Sequence, residues 1–240
     1  MQDRNDRLLR FRLHGTFAHF NQPISNQVRN TYSIIPRTQL LGLIGSIAGL
    51  QGYKNSMTMP EFYSRLRESK VYIKTNSKTE AMFIVNYNSL NSFLNNRVDS
   101  GSPNVIVNEQ VLFKPDFEIG IVMNTKNELH NTIIENIEAN RSVFSIYLGK
   151  NEFPANLDFI SLDEFEQNSR KEILCGTIFP FDEIRQSSTA AMKLERIPIG
   201  FNDRFKFIYR LMAVPFKEEP IKVSHPDIFI NCGEHSYYVF

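Results

Sequence analysis

Three sets of side chains in this 240-residue sequence have residue types that could do chemistry. His14, His19 and Tyr32 stand within one short N-terminal stretch. Metal-free cleavage of RNA needs a base to take the proton from a 2′-hydroxyl and an acid for the leaving oxygen, and these types can serve. The same residues also belong in any basic loop that binds nucleic acid, and that is the preferred reading, with catalysis kept as the competitor. His225, Cys232, Glu234 and His235 offer soft and borderline metal donors. They lack the four-ligand, finger-like spacing of a structural zinc site, so an ordinary terminal strand is expected and no metal or other cofactor. Asp163, Glu164 and Glu166 follow an apolar segment and read as the solvated start of a helix, not as a paired acid and base. No nucleophile elbow and no HExxH occurs.

Charge supplies a broader clue. The net charge is +1, but residues 1–80 hold 12 Lys/Arg against 5 Asp/Glu, and residues 81–240 hold 15 against 21. The two parts carry +7 and −6. From Arg7 through Pro60 there is no Asp or Glu at all, where the chain's own frequency of acids would place roughly six. Such a gap is expected of a surface that faces phosphates, since a carboxylate there would repel them. The acidic remainder is then available to a basic partner. The other reading of the gap is chance within a buried segment.

The elements that would position these groups follow from periodicity. In "LLRFRLHG", Leu9, Phe11 and Leu13 alternate with Arg10, Arg12 and His14, which predicts a half-buried strand with one basic face. Residues 15–37 read as a long ordered loop. Pro36 pushes Ile35 out of the helical region, and Thr38 is expected to cap a helix starting at Gln39. That helix carries Gly42, Gly45 and Gly49, each costing about 1 kcal/mol against Ala, so its backbone is expected to approach a sheet or another backbone closely. "TMPE" at 58–61 and the pair Thr125/Glu128 read as capping boxes for two further helices, the second with Leu129, Ile133 and Ile137 inward. Asn- and Ser-rich residues 86–108, flanked by strand-like runs, predict a long β-hairpin. The order strand, helix, strand, hairpin-bearing strand, helix, then "VFSIYLG" predicts an α+β, ferredoxin-like sheet over residues 1–150, with the hairpin and its strands at about 82–120. Residues 151–240 are expected to form a smaller β-rich extension. No apolar run reaches the ~18 to 20 residues of a spanning helix, no signal peptide is recognisable, and the two cysteines make no CxxC pair. A reducing cytoplasm is the expected setting, with no membrane partner.

The segment "FAHFNQPISNQVRNTYSIIPRTQLLGLIGSIAGL" resembles the N-terminal signature of the fifth CRISPR-associated (Cas) protein family, RAMP-superfamily subunits of type I Cascade effectors. In that family an "A-x-F" element leads to a "TY-x-x-(I/P)-P" turn and a "GL-(I/L)-G-x-I-x-G" helix. "YLGKNEFPANL" (147–157) resembles its "YLG-x-x-E-F-x-A" element, and "EQVLFKPDFEIGI" sits where the family places the strand after its thumb. The likeness spans roughly residues 8–160. The "IIPRT" form is more similar to the type I-B branch than to type I-C.

The resemblance implies an RRM-like fold with a protruding β-hairpin thumb. It also implies a chain that binds the 5′ handle of a CRISPR RNA and caps one end of a filament of Cas-family-seven backbone subunits, beside the large Cascade subunit, meeting target DNA only indirectly. Type I-C members also cleave precursor RNA with a Tyr/Lys/His site. Tyr32 matches the tyrosine position, but "FKPD" supplies Lys114 without a histidine, which favours binding over cleavage. Handle recognition needs cations, edge donors and stacking groups. The residues expected to supply them are His19, Asn21, Arg29, Asn30, Tyr32, Arg37, Thr38, Lys114, Lys150 and Asn151. Arg37 is the strongest single expectation, just before a helix N-terminus that favours phosphate.

Overall fold

Leu9, Phe11 and Leu13 alternate with arginines because they lie on a strand, β1 (Asp6–His14), whose two faces meet different layers. The computed structural model describes residues 4–23, 28–55, 58–76, 81–90, 104–184 and 191–240. After β1 come two-residue strands β2 (Phe17–Ala18) and β3 (Val28–Arg29), then helices α1 (Arg37–Ala48) and α2 (Glu61–Leu66). Next are β4 (Val71–Thr75), β5 (Met82–Leu90), β6 (Asn104–Phe113), β7 (Asp116–Asn124), α3 (Glu128–Glu138) and β8 (Asn156–Asp163). The first sheet has the order β4-β7-β1-β8 with every neighbouring pair antiparallel.

One face of this sheet presents Leu9, Phe11, Leu13, Ile119 and Ile121 to α1 and α3, which bring Leu40, Ile44, Ile47, Ile133 and Ile137. Burial of these branched side chains, each worth about 1.5–3 kcal/mol, is what holds the helices down. The opposite face carries Leu8 and Tyr72 and is covered by strands from the last third of the chain, with Tyr72 stacked on Tyr237 at 4.4 Å. Gly120 makes that possible, because a Cβ there would overlap the Tyr72 ring.

That last third forms β9 (Glu166–Gln167), β10 (Glu172–Cys175), β11 (Phe179–Pro180), β12 (Met192–Phe201), β13 (Phe207–Pro215), β14 (Glu219–Lys222), β15 (Phe229–Cys232) and β16 (His235–Tyr238). They make a five-stranded sheet, β14-β10-β16-β15-β9, and a three-stranded one, β11-β13-β12. The chain is therefore mixed α+β, and its C-terminal part is rich in strands.

Several local expectations are corrected. The strand after α3 is β8, beyond residue 150; "VFSIYLG" instead forms a loop held by a Tyr147–Pro154 bridge. α1 starts at Arg37, with Pro36 at its N-cap, and Thr38 makes no capping bond. A proline with extended ψ delivers the helix start without any side-chain cap. Likewise α2 begins after Pro60, and Asn127, not Thr125, caps α3 by accepting from the Leu129 and His130 amides. Gly42 and Gly45 of α1 face α2, where a Cβ at Gly45 would overlap Phe62, and Gly49 ends the helix at positive φ against Val143. Asp163 ends β8 and Glu166 lies in β9, so no helix begins there.

β5 and β6 pair over nine consecutive positions as the expected hairpin. Its far end, residues 91–103, lies outside the described residues. β6 also pairs with β2 and, in parallel, with β3, so the stretch read as a long loop is tied to the hairpin base. The YLG turn closes on the same stretch: Leu148 accepts from the His19 amide, and a Cβ at Gly149 (φ 88°) would overlap the His19 carbonyl oxygen. Gly149→Ala is therefore expected to cost about 2–4 kcal/mol, seen as a lower urea midpoint. A midpoint within error of wild type would show that the turn does not need glycine.

Candidate nucleic-acid interface

Glu109 sits on β6 with Val107 and Val111 on the same face, and only 2 % of its surface is exposed. A buried carboxylate must be paired, and this one collects four partners. Lys150 Nζ binds Oε1 at 2.8 Å, and the Tyr87 hydroxyl donates to Oε2 at 3.1 Å. His19 Nε2 stands 3.8 Å and Arg29 Nη1 3.9 Å from Oε2. Arg29 also donates to the Tyr87 hydroxyl at 3.2 Å. Burial alone would raise the Glu109 pKa, but the Lys150 bond and the His19 charge outweigh it and hold the group below its ordinary value. Burial similarly opposes the Lys150 charge, and Glu109 overrides it, raising the Lys150 pKa.

A row of rings continues from this hub along the base of the hairpin. Lys150 Nζ lies 5.2 Å from the Tyr87 ring centre and 5.7 Å from that of Phe153. Phe17 contacts Phe153, Phe83 and Phe113 at 5.8–5.9 Å between centroids. Phe83 and Phe113 are each 41 % exposed, and Lys114 Nζ stands 5.2 Å over Phe113. Arg29, Tyr87, Lys150, Phe153, Phe17, Phe113 and Lys114 thus form a row of three cations and four rings. Single strands are held by that combination, phosphates on the cations and bases on the π-faces.

The structure divides the ten expected residues. Arg29, Lys114 and Lys150 fall on this row, and Asn21, Asn30 and Asn151 lie nearby at the surface or half-buried. His19 belongs to the row's foundation, 4 % exposed with Nδ1 2.8 Å from the Gln110 carbonyl. Tyr32, Arg37 and Thr38 are corrections, since all three are buried. Tyr32 is paired with Tyr209, and burial pushes its hydroxyl pKa up. Arg37 turns inward, its Nε and Nη atoms donating to the carbonyls of Phe240, Ile199, Arg67 and Ser69 at 2.7–3.3 Å. Those oxygens come from the end of α2, β12 and the β16 side of the fold, so Arg37 fastens three segments together and is not presented to a phosphate.

The acid-free stretch acquires its carboxylates from elsewhere in the chain. Arg10 meets Glu118 and Asp163, Arg12 meets Asp116, and His14 meets Asp158. The backbone and side chain of Ser33, and the Gln22 amide, bind the buried Glu195. Much of the N-terminal positive charge and donor excess is thus matched inside the molecule. His225 and His235, weighed as metal donors, pair separately with Glu183 and Glu218. Among the described residues no three His, Cys, Asp or Glu side chains gather to hold a metal, and no helix is long and apolar enough to cross a membrane.

Glu109 and Tyr87 were not expected at the site. Glu109 does leave a trace in the sequence, because Val107, Glu109 and Val111 share a strand face and put an acid at an inward position. Tyr87 leaves none beyond its strand.

Residues 8–193, which include this whole row, match the family model described as CRISPR-associated protein (Cas_Cas5). The chain belongs to the Cas5 family of CRISPR-associated proteins. No curated protein sequence matches it. Among solved structures, the Cas5-family chain is similar to one from "Type III-B Cmr-beta bound to cognate target RNA and AMPPnP", with TM-score 0.51 and 11% identity over 89% of this chain and 86% of that one. A chain of a "CRISPR RNA-guided surveillance complex" gives 0.49 and 14% over 91% and 90%. A "CRISPR-associated Protein" crystal structure gives 0.47 and 13% over 94% and 97%. At these identities the first likeness speaks to a common fold.

Proposed function

We propose that this Cas5-family chain is a non-catalytic subunit of a type I CRISPR effector, of the type I-B branch, that holds the 5′ handle of the crRNA against the cation–ring row and caps one end of the backbone filament. The observation that carries the reading is the convergence of Arg29, Tyr87, Lys150 and Lys114 with exposed Phe83 and Phe113 at the hairpin base. Family membership supports a crRNA-associated role in a Cascade-type particle. In this reading the sheet β4-β7-β1-β8 under α1 and α3 is an RRM-like, ferredoxin-like core, and β5–β6 is the thumb. Its neighbours are the Cas-family-seven backbone subunit and the large subunit, with target DNA met indirectly, in the cytoplasm.

Burial of Tyr32 supports binding over cleavage, since a hydroxyl whose pKa is raised by burial is a poor base near neutral pH. Incubating the chain with repeat RNA and EDTA tests this, and site-specific scission would overturn it. For binding, Arg29→Ala with Lys114→Ala changes two exposed cations. It is expected to weaken handle-RNA affinity about tenfold or more and to make the log–log salt slope shallower by roughly 1.4, about 0.7 per contact. Unchanged affinity and slope would remove RNA from this row.

A further inference from the structure

Beside α1, the YLG turn also walls a cavity of about 580 Å³ that the cation–ring row does not use. Its volume falls in the ~300–1,000 Å³ range of sites that take a small ligand. Tyr53, Phe144, Tyr147 and Phe207 line it, and all four rings are exposed. None of the described residues lining it is charged. Exposed rings scattered singly would need no explanation, but these gather around one concave place.

Gln39 on α1 supplies a second, independent observation. Its Oε1 atom is buried and, among the described residues, has no hydrogen-bond partner. An apolar side chain would avoid the penalty of such an orphan. The residue as a whole is half-buried and lines the cavity. Its terminal torsion is soft, so a turn of the amide presents both C=O and NH2 to an occupant.

Cations stand close by. Phe207 lies 6.0 Å from the Tyr209 ring, and the Arg196 guanidinium lies 5.6 Å from the centre of that ring. Arg196 is exposed and has no carboxylate partner among the described residues. Gly149 also lines the cavity, and the next residue, Lys150, belongs to the row. The cavity is therefore continuous with the surface already given to RNA.

An apolar side chain of a partner protein would suit the rings but leave Gln39 and Arg196 unanswered. An unpaired nucleobase answers all three, with a π-face for the rings, edge N–H and C=O groups for the amide, and a phosphate for the arginine. We propose that the cavity takes one unstacked base of the handle RNA, with Gln39 reading its edge and Arg196 holding an adjoining phosphate. The inference deepens the RNA-binding reading and rests on it.

Handle RNAs made abasic at one nucleotide at a time, titrated against the full chain and two variants, test it. One abasic position is expected to weaken wild-type binding about tenfold. Gln39→Leu keeps the bulk of the side chain. It is expected to weaken intact handle RNA about fivefold and that abasic RNA by less than about twofold. Its urea midpoint should match or exceed wild type, because the orphaned oxygen is gone, whereas loss of a purely structural glutamine would lower it. Phe207→Ala, at an exposed position, should show the same loss only where the base is present. If no abasic position is coupled to either variant, the base proposal is overturned while the RNA-binding reading stands. Unchanged RNA affinity of Phe207→Ala, with lower recovery of the particle through a tag on this chain, assigns the cavity to a partner polypeptide and overturns it too. If the wild-type chain binds no handle RNA, the underlying reading fails and the base assignment with it.

Discussion

Arg37→Met is expected to destabilise the fold by about 2–4 kcal/mol. Methionine fills the space of the aliphatic stem but removes four hydrogen bonds to part-buried carbonyl oxygens, of which that of Phe240 keeps the Val71 amide as a donor, and each lost bond costs about 0.5–1.5 kcal/mol. Because those oxygens belong to Arg67, Ser69, Ile199 and Phe240, the loss loosens α1, α2, β12 and the final strand from one another at once. Arg37→Lys should recover less than half of the loss, since an ammonium cannot fan out to four acceptors held in the plane of a guanidinium. Urea unfolding measures both variants, and handle-RNA affinity per folded molecule should stay at the wild-type value. A variant that kept its urea midpoint but lost the RNA would return Arg37 to the binding surface.

Arg37 also shows what a sequence can and cannot say about a site. An arginine just ahead of a helix start, in a stretch without acids, has the signature of a phosphate contact. Its real acceptors are carbonyls contributed some 30 and more than 160 residues later, and no local pattern announces a carbonyl. The same holds for the acid-free stretch as a whole. Its partners Glu109, Asp116, Glu118, Asp163 and Glu195 lie far along the chain, and tertiary pairing brings them in. The charge asymmetry was real, but part of it is an internal complementarity between the two portions of the chain.

Period was the more faithful guide. The two-residue alternation of Leu9, Phe11 and Leu13 and the four-residue spacing of Leu129, Ile133 and Ile137 each marked a real element. These patterns are legible because burial of one face acts residue by residue. Boundaries were less so. The YLG motif looked like the closing strand, yet its Gly149 is needed at positive φ against His19, and the apolar run is used for packing in a loop while β8 takes the edge. The strongly apolar α1 hid its face for a related reason. It is buried on nearly all sides, by the sheet, by α2 and by β12, so no polar stripe reveals its orientation.

Glu109 is where stability and binding oppose each other, and changing it should move the two in opposite directions. Glu109→Ala is expected to cost about 1–3 kcal/mol, because half-buried Lys150 loses its 2.8 Å partner and the Tyr87 hydroxyl loses its acceptor. Glu109→Gln keeps an acceptor for Lys150 and Tyr87 and should cost less, which leaves enough folded protein for binding measurements. In that variant Arg29 and Lys150 no longer share a carboxylate. Handle-RNA affinity should therefore rise several-fold, with a salt slope steeper by about 0.7 if one more phosphate contact forms. Acid stability supplies an independent reading. The Glu109 pKa is lower folded than unfolded, so its contribution is complete above the ordinary value of 4.5 and disappears as pH falls through the lower folded value. Wild type should lose stability over that window, and Glu109→Gln should lose less of it, the residual slope coming from Asp116, which Arg12 and Asn76 hold down against burial. A glutamine variant that bound RNA more weakly than wild type, at matched folded fraction, would mean that the carboxylate shapes the RNA site instead of restraining its cations.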